Sequence, residues 1–291
     1  MTYVLMLVAQ REAASLSTAQ IARVRDAIRG GAPQILSDGE AAEIPLMEPP
    51  DPAVIAAALG GAPVDAITVK ARGRRKAVLL ADMDSTIVQE ETLDELAHFA
   101  GVGEKIAAIT ARAMNGELDF QTALRERVAM LKGLPVDRLE CTWKRVRITP
   151  GARELVATMR ARGALTALVS GGFTYFTERV ARALGFQVHR ANTLLDDGAL
   201  LTGIVAEPIL DRNAKLATLQ ELAAHRGVKL SATLAVGDGA NDLDMLRAAG
   251  LGVAFHAKPV VAREARARVD NAGLRALRFA QGYPASVFEG A

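Results

Sequence analysis

The sequence of 291 residues contains one cysteine, Cys141, and one tryptophan, Trp143, and only 4% of its residues are aromatic. A lone cysteine excludes an intramolecular disulfide framework and fits a reducing cytoplasm. Scarce aromatics make stacking-based recognition of bases or sugars a poor starting point. No apolar run reaches the ~18 residues that a bilayer-spanning helix needs. The opening MTYVLMLVAQREAA lacks a basic leader and turns charged too early for a signal peptide. Charge of one sign is missing as well: 35 basic against 33 acidic residues leave a formal net charge of +2. That balance argues against a dedicated nucleic-acid binder. Repeats and low-complexity segments are also absent. The expectation is a cytoplasmic globular protein with neither nucleic acid nor membrane as partner. Its length asks for about two domains, or one with a large insertion, since a domain runs to roughly 100–200 residues.

The residues that are present separate into three regions. Residues 1–75 hold a strand-like start (Tyr3 to Val8), a helical stretch (Thr18 to Arg29) and a loop carrying Pro45, Pro49, Pro50 and Pro52. A second helical turn and a β-rich run, Asp65 to Val69, complete that region, and the basic stretch KARGRRK reads as a solvated linker. From Lys76 the pattern is α/β. Ala77–Ala81, Ala164–Val169, Thr233–Val236 and Leu251–Phe255 are short apolar runs suited to strands buried on both faces. Helical patterns such as 152–162 and 214–226 lie between them, which predicts a parallel sheet with helices on both sides.

One interval is too long. A crossover needs about a dozen residues or a helix, yet more than 80 residues separate Ala81 from Ala164. Helical patterns near 92–100, 104–114, 119–132 and 136–147 fill it, the first opened by a Thr92/Glu95 capping box. Residues 88–148 therefore read as a helical domain inserted after the first strand, leaving 76–87 and 149–291 as the α/β core. LLDDGALLTG, with Asp197-Gly198 at its turn, reads as a hairpin.

Ligands of open α/β sheets bind beyond the carboxyl ends of the strands, so the residues just past each strand carry the most information. The first strand leads into Asp82-Met83-Asp84-Ser85-Thr86, the second into Ser170-Gly171-Gly172, the third into Gly237-Asp238-Gly239-Ala240-Asn241-Asp242. Two carboxylates at i and i+2 can divide the work of nucleophile and general acid/base. Alone, Asp-x-Asp is more often an Asx-capped turn; the third strand's acidic, glycine-rich end reverses that. A third carboxylate at the same edge calls for a cation, and hard oxygen ligands without histidine or cysteine select Mg²⁺. The four histidines are scattered and form no ligand spacing. Glycine-rich turns supply amides for phosphate oxygens. The chemistry that fits is phosphoryl transfer through an aspartyl-phosphate.

These residues, with Lys215 between the second and third strand ends, resemble the four motifs of the haloacid dehalogenase superfamily. DMDSTIVQEETLDELA, LVSGGF, GDGANDLDML and AFHAKP resemble most closely its phosphoserine-hydrolysing branch, over about residues 76–280. The resemblance implies a haloacid dehalogenase-like Rossmannoid fold with a helical cap, preceded by a small α+β module similar to ACT-like domains. It makes Asp82 the nucleophile and Asp84 the acid that protonates the leaving oxygen and then activates water. Asp82, the Asp84 carbonyl and Asp238 would hold Mg²⁺, with Asp242 supporting the metal shell. Ser170, Gly171, Lys215 and Asn241 would bind the phosphate. Glu91 and Arg127 would meet the ammonium and carboxylate of a small substrate, O-phospho-L-serine, with Met114 and Phe120 closing over it. Arg127 has some support of its own: it falls within the apolar stripe of Leu124, Val128 and Leu131, and Arg125 does not. Lys215, as one lysine in a first helical turn, would otherwise be read as solvated, and Glu91 as a favourable charge at a helix start. Three readings stand side by side: a phosphatase for phosphoserine, one for another small phosphorylated amino acid or amine, or a non-catalytic amino-acid sensor. The N-terminal module leaves two roles open, dimerisation or amino-acid sensing, so a homodimer through it is the expected protein partnership.

Overall fold

The computed structural model describes the whole chain except Met1, Arg11, 13–15, 115–116 and Ala291, and the side chains of Met114 and Arg212. The expected role of Met114 therefore lies outside the described residues. The N-terminal elements run β1 (Tyr3–Ala9), α1 (Thr18–Ala27), β2 (Gln34–Ser37), β3 (Ala41–Leu46), α2 (Pro52–Leu59) and β4 (Val64–Lys70). Their strands form an antiparallel sheet in the order β2-β3-β1-β4. Strand β3 occupies ground that the prolines mark as loop. Strand β2 pairs with β3 only as far as Glu43, so Pro45, opposite Val4 of β1, owes no amide to a neighbour on the β2 side.

Period-two alternation gives this sheet two buried faces. Leu5, Leu7 and Ile44 pack with Ile21, Val24 and Ile55 beneath the helices. Val4, Met6, Val8, Ile67 and Val69 join the main core of the chain instead.

The second sheet is built from β5 (Val78–Ala81), β6 (Leu165–Phe173), β7 (Val188–Asn192), β10 (Thr233–Gly237), β11 (Leu251–Phe255) and β12 (Ala267–Val269). It is parallel throughout, in the order β12-β11-β10-β5-β6-β7. Leu79, Leu168, Leu234 and Val253 line one face, Val78, Leu80, Ala235 and Ala254 the other. Both faces being covered is why these strands read as unbroken apolar runs. Each fully buried leucine contributes about 1.5–3 kcal/mol over an exposed one. Strands β7 and β12 carry no such signature, because at the edges residues such as His189 and Arg268 are exposed. From β5 the chain goes to β6 on one side and later to β10 on the other, so strand order reverses at β5 and opens a crevice there.

Between β5 and β6 lie α3 (Thr92–Phe99), α4 (Gly103–Met114), α5 (Phe120–Ala129), α6 (Asp137–Trp143) and the crossover helix α7 (Ala152–Ala161). A bridge between Val88 and Ile148 joins the two ends of the segment holding the first four. The Thr92/Glu95 capping box does not form. Glu91 is the N-cap and makes no side-chain capping bond, its carboxylate taking the Ser85 hydroxyl instead, while the Thr92 amide that Glu95 would have closed the box on goes to the Asp84 carboxylate at 2.8 Å. The remaining elements are α8 (Thr174–Leu184), the hairpin β8 (Leu194–Asp196) and β9 (Leu201–Val205), α9 (Arg212–His225), α10 (Leu243–Ala248), α11 (Pro259–Glu264) and α12 (Ala276–Ala280). The hairpin connection spans four residues rather than a two-residue Asp-Gly turn, with Asp197 accepting from the Ala199 and Leu200 amides.

Candidate active site

The carboxyl ends of β5, β6 and β10 converge on the crevice. As the chain leaves β5, the Asp82 Oδ1 accepts from the next amide, Met83, at 2.8 Å. Ser85 adopts a left-handed conformation (φ 53°), which turns the loop so that Asp84 stands beside Asp82 in a different setting. Asp84 Oδ1 takes the Thr92 amide and Oδ2 takes the Ser170 hydroxyl at 2.9 Å. Ser170 accepts in turn from the Gly172 amide at 2.8 Å. A Cβ on Gly172 would lie 2.8 Å from Asp84 Oδ2, so only glycine lets β6 come this close.

Lys215, in the first turn of α9, is 2% exposed. Its Nζ sits 2.7 Å from Asp82 Oδ1 and 2.6 Å from Asp242 Oδ1. Asp242 Oδ2 accepts from the Gly239 amide at 2.9 Å. Gly237 is needed here for the same reason as Gly172: a Cβ would lie 2.3 Å from the Asp242 carboxyl carbon. Ser170, Gly171, Lys215 and Asn241 line one narrow crevice together with Phe120 of α5.

The electrostatics separate these groups by role. Burial, reinforced by Asp242 and opposed by Lys215, pushes the Asp82 carboxyl well up. Burial and then Glu91 raise Asp84, against the Thr92 and Ser170 hydrogen bonds. Asp238 is pushed up to about 6, chiefly by burial, with Lys258 pulling it down and Asp242 up. Burial pushes the Lys215 ammonium down, but Asp242 and Asp82 together leave it raised, so it stays charged.

Oxygens of Asp82, Asp238 and Asp242 all lie within 4.8 Å of one another. The buried Lys215 and the exposed Lys258, 3.7 Å from Asp238, still leave these three carboxylates short of one positive charge. Asp242 is committed to Lys215 and the Gly239 amide, whereas Asp82 Oδ2 takes neither Met83 nor Lys215. Hard, crowded oxygens with surplus negative charge are the donor set of a divalent cation.

The inserted helices bring two further groups over the crevice. Glu91 accepts from the Ser85 hydroxyl at 2.9 Å. Arg127 is half-buried on α5, and its Nε donates to the Ala123 carbonyl at 3.2 Å. Burial lowers its pKa while Asp94 and Glu91 raise it, which places it in the field of both acids. Arg125 points away and pairs with Glu207 at 2.6 Å. Two charged residues at this edge lie within the resembling strings but receive no role from them. Lys258 stands just past the carboxyl end of β11, with Nζ 3.7 Å from Asp238 Oδ2. Inspecting the fourth strand end in the same way as the first three would have found it. Asp94 lies one helical turn beyond Glu91 and faces Arg127; only its spacing from Glu91 could have pointed to it.

Residues 79–247 match the model of the haloacid dehalogenase-like hydrolase family. A phosphoserine phosphatase of Streptococcus thermophilus is 50% identical over 186 residues, covering 64% of this chain and 86% of that protein. The crystal structure of a probable phosphoserine phosphatase from Vibrio cholerae superposes with a TM-score of 0.80 at 34% identity, over 98% of this chain and 88% of that one. A phosphoserine phosphatase solved as a phospho-aspartyl intermediate analogue has a TM-score of 0.65 and 42% identity, over 70% of this chain and 98% of its own.

Proposed function

The chain belongs to the haloacid dehalogenase-like hydrolases, and from that premise we propose that it is a Mg²⁺-dependent phosphatase converting O-phospho-L-serine to L-serine and phosphate. The observation that carries this reading is the pairing of two differently set aspartates. Asp82 is locked against Lys215, and Asp84 is held by a Ser170 hydroxyl and the Thr92 amide. In the first step an Asp82 oxygen attacks phosphorus and the bond from phosphorus to the serine oxygen breaks. Asp84, whose carboxyl is raised from its ordinary range by burial and by Glu91, gives a proton to that departing oxygen. In the second step Asp84 takes a proton from the water that attacks the aspartyl-phosphate, and phosphate leaves with the Asp82 carboxylate restored.

Ser170, the Gly171 amide and Lys215 would orient the phosphoryl oxygens, with Asn241 alongside. A phosphoryl oxygen can replace Asp84 as acceptor of the Ser170 proton. Asp82, the Asp84 carbonyl and Asp238 would hold Mg²⁺, which when bound neutralises charge on the transferring group. Glu91 would take the substrate ammonium and Arg127 its carboxylate.

On the same reading residues 1–75 form an ACT-like module, 76–87 with 149–291 the catalytic core, and 88–148 a cap that closes over substrate and limits water. Among the described residues no helix is long and apolar enough to cross a membrane, in keeping with a cytoplasmic biosynthetic enzyme at the last step of serine formation. A homodimer through the N-terminal module would use α1, α2 or the β2 edge, since the other sheet face joins the main core.

The test is phosphate release from a panel of phosphorylated metabolites, with and without Mg²⁺. Phosphoserine is expected to lead, with turnover dependent on Mg²⁺ and abolished in Asp82→Asn. Faster turnover of phosphothreonine, phosphohomoserine or phosphoethanolamine would transfer the assignment to that substrate.

A further inference from the structure

The N-terminal module contributes one side chain to the core in an unusual way. Asp65 of β4 is 5% exposed, and its carboxylate accepts from three consecutive backbone amides: Asp270 at 2.9 Å, Asn271 at 3.1 Å and Ala272 at 2.7 Å. The Asn271 side-chain amide adds a fourth donor at 3.0 Å. Successive amides converging on one anion form a backbone nest, a socket for a carboxylate. The neighbouring Arg275 ties the same loop to Glu40 at 2.5 Å.

This loop lies next to the segment that approaches the metal-side carboxylate. The Ala272 carbonyl lies 3.1 Å from His256 Nε2, and the His256 amide donates to Val269 at 2.8 Å. His256 itself is left-handed, with φ 43°, a conformation that its surroundings must hold for a residue bearing a Cβ. Two residues on, the Lys258 amide donates to the Asp238 carbonyl at 3.1 Å, and its ammonium stands 3.7 Å from the Asp238 carboxylate.

We propose that Asp65 is a positioning residue for the catalytic edge: seated in the 270–272 socket, it fixes the His256–Lys258 segment against Asp238. The N-terminal module thus completes the metal side of the site without touching substrate. The part concerning metal rests on the phosphatase reading above; the part concerning segment order does not. A cavity of about 630 Å³, lined by Ser85, His256, Asn271 and Ala272 among others, runs beside the socket.

The experiment uses full-length Asp65→Ala and adds formate, a carboxylate small enough to refill the socket. In metal-free protein, hydrogen exchange in the peptide spanning His256–Lys258 should quicken about tenfold, and formate, but not formamide, should slow it again. Mn²⁺ binding, followed by the paramagnetic resonance of the free ion, should weaken about tenfold, the lower end of what indirect partners of metal ligands contribute. Formate should restore this binding too. Unchanged exchange, or a change that formate leaves untouched, overturns the proposal. Faster exchange in Asp65→Ala, with a parent protein that binds no Mn²⁺, would keep the coupling and overturn the metal reading instead. Should Asp65→Ala fail to fold, Asp65→Asn keeps the shape but turns an amide group toward the donors. Parent-like exchange in that variant is equally fatal.

Discussion

Asp65 and Asp82 are both buried at 5% exposure, yet the chain treats them oppositely. Asp65 is surrounded by amide donors that satisfy its oxygens, which is how a buried carboxylate becomes a rigid joint. Asp82 has one amide, a shared ammonium and two more carboxylates nearby, an arrangement that leaves charge for a ligand to balance. The buried cations divide in the same way. Lys215 bridges two carboxylates, whereas Arg278, 0% exposed, donates to Thr158 at 3.3 Å and packs on Phe288, with Nε and Nη2 unpartnered among the described residues. Satisfied groups hold the fold; a group left in surplus or deficit is either chemistry or a cost in stability.

The contrast breaks most violently at Lys215. In Lys215→Met, turnover should fall by about 10²–10³, as for loss of one preorganised charge partner. Metal-free stability should drop by about 3–5 kcal/mol, because two buried carboxylates lose their cation. Stopped-flow assay and urea titration measure the two effects, and a parent-like value of either would remove Lys215 from the site. Arg127→Ala should raise the KM for phosphoserine about 10- to 100-fold, since a charged hydrogen-bonding partner is lost, while leaving p-nitrophenyl phosphate hydrolysis nearly unchanged. Equal losses on both substrates would make Arg127 a packing residue.

Proton linkage sharpens the comparison further. Burial holds the Asp238 carboxyl at about 6 in the folded chain, above its value near 4 when unfolded. Its contribution to metal-free stability is therefore full below about pH 4 and lost as pH rises through about 6. Cation binding needs the ionised form, so apparent Mn²⁺ affinity should weaken as pH falls through about 6, by up to about tenfold per pH unit for one linked proton. Melting curves and Mn²⁺ titrations from pH 4.5 to 7.5 track both trends, and a flat metal affinity would exclude Asp238 as a ligand. The smallest effect belongs to Arg278→Met. Replacing a poorly satisfied buried cation with an apolar chain of similar length should change stability by less than about 1 kcal/mol, or raise it. A loss above about 3 kcal/mol would show that the Phe288 and Thr158 contacts outweigh the unpaired donors.

How far the sequence reveals these roles depends on how local their causes are. Asp82, Asp84, Ser170 and Asp238 are legible because each comes directly after an apolar run at the carboxyl end of a strand, where the sheet brings them together. Helical phase separates the two arginines, though not their roles: Leu124, Val128 and Leu131 are buried, Arg127 shares their side of the helix, and Arg125 faces Glu207. Asp65 is not legible. In VDAITVK it reads as the polar partner of a strand alternation, and its socket lies 205–207 residues away. The Thr92 cap misleads for a similar reason, since a carboxylate from outside the helix answers the first-turn amide. Strand β3 hides behind Pro45 because the sequence does not show where β2 stops pairing.

The central claim is that Asp82, and not its better-satisfied counterparts, carries the phosphoryl group. Rapid acid quench of the full chain with phosphoserine and Mg²⁺, with mass spectrometry of its peptides, tests this directly. The account predicts a transient phosphate on the peptide containing Asp82, absent in Asp82→Asn and longer-lived in Asp84→Asn, where the base for the second step is missing. Full turnover with no phosphorylated Asp82 at any quench time, or with phosphate on another residue, would contradict it.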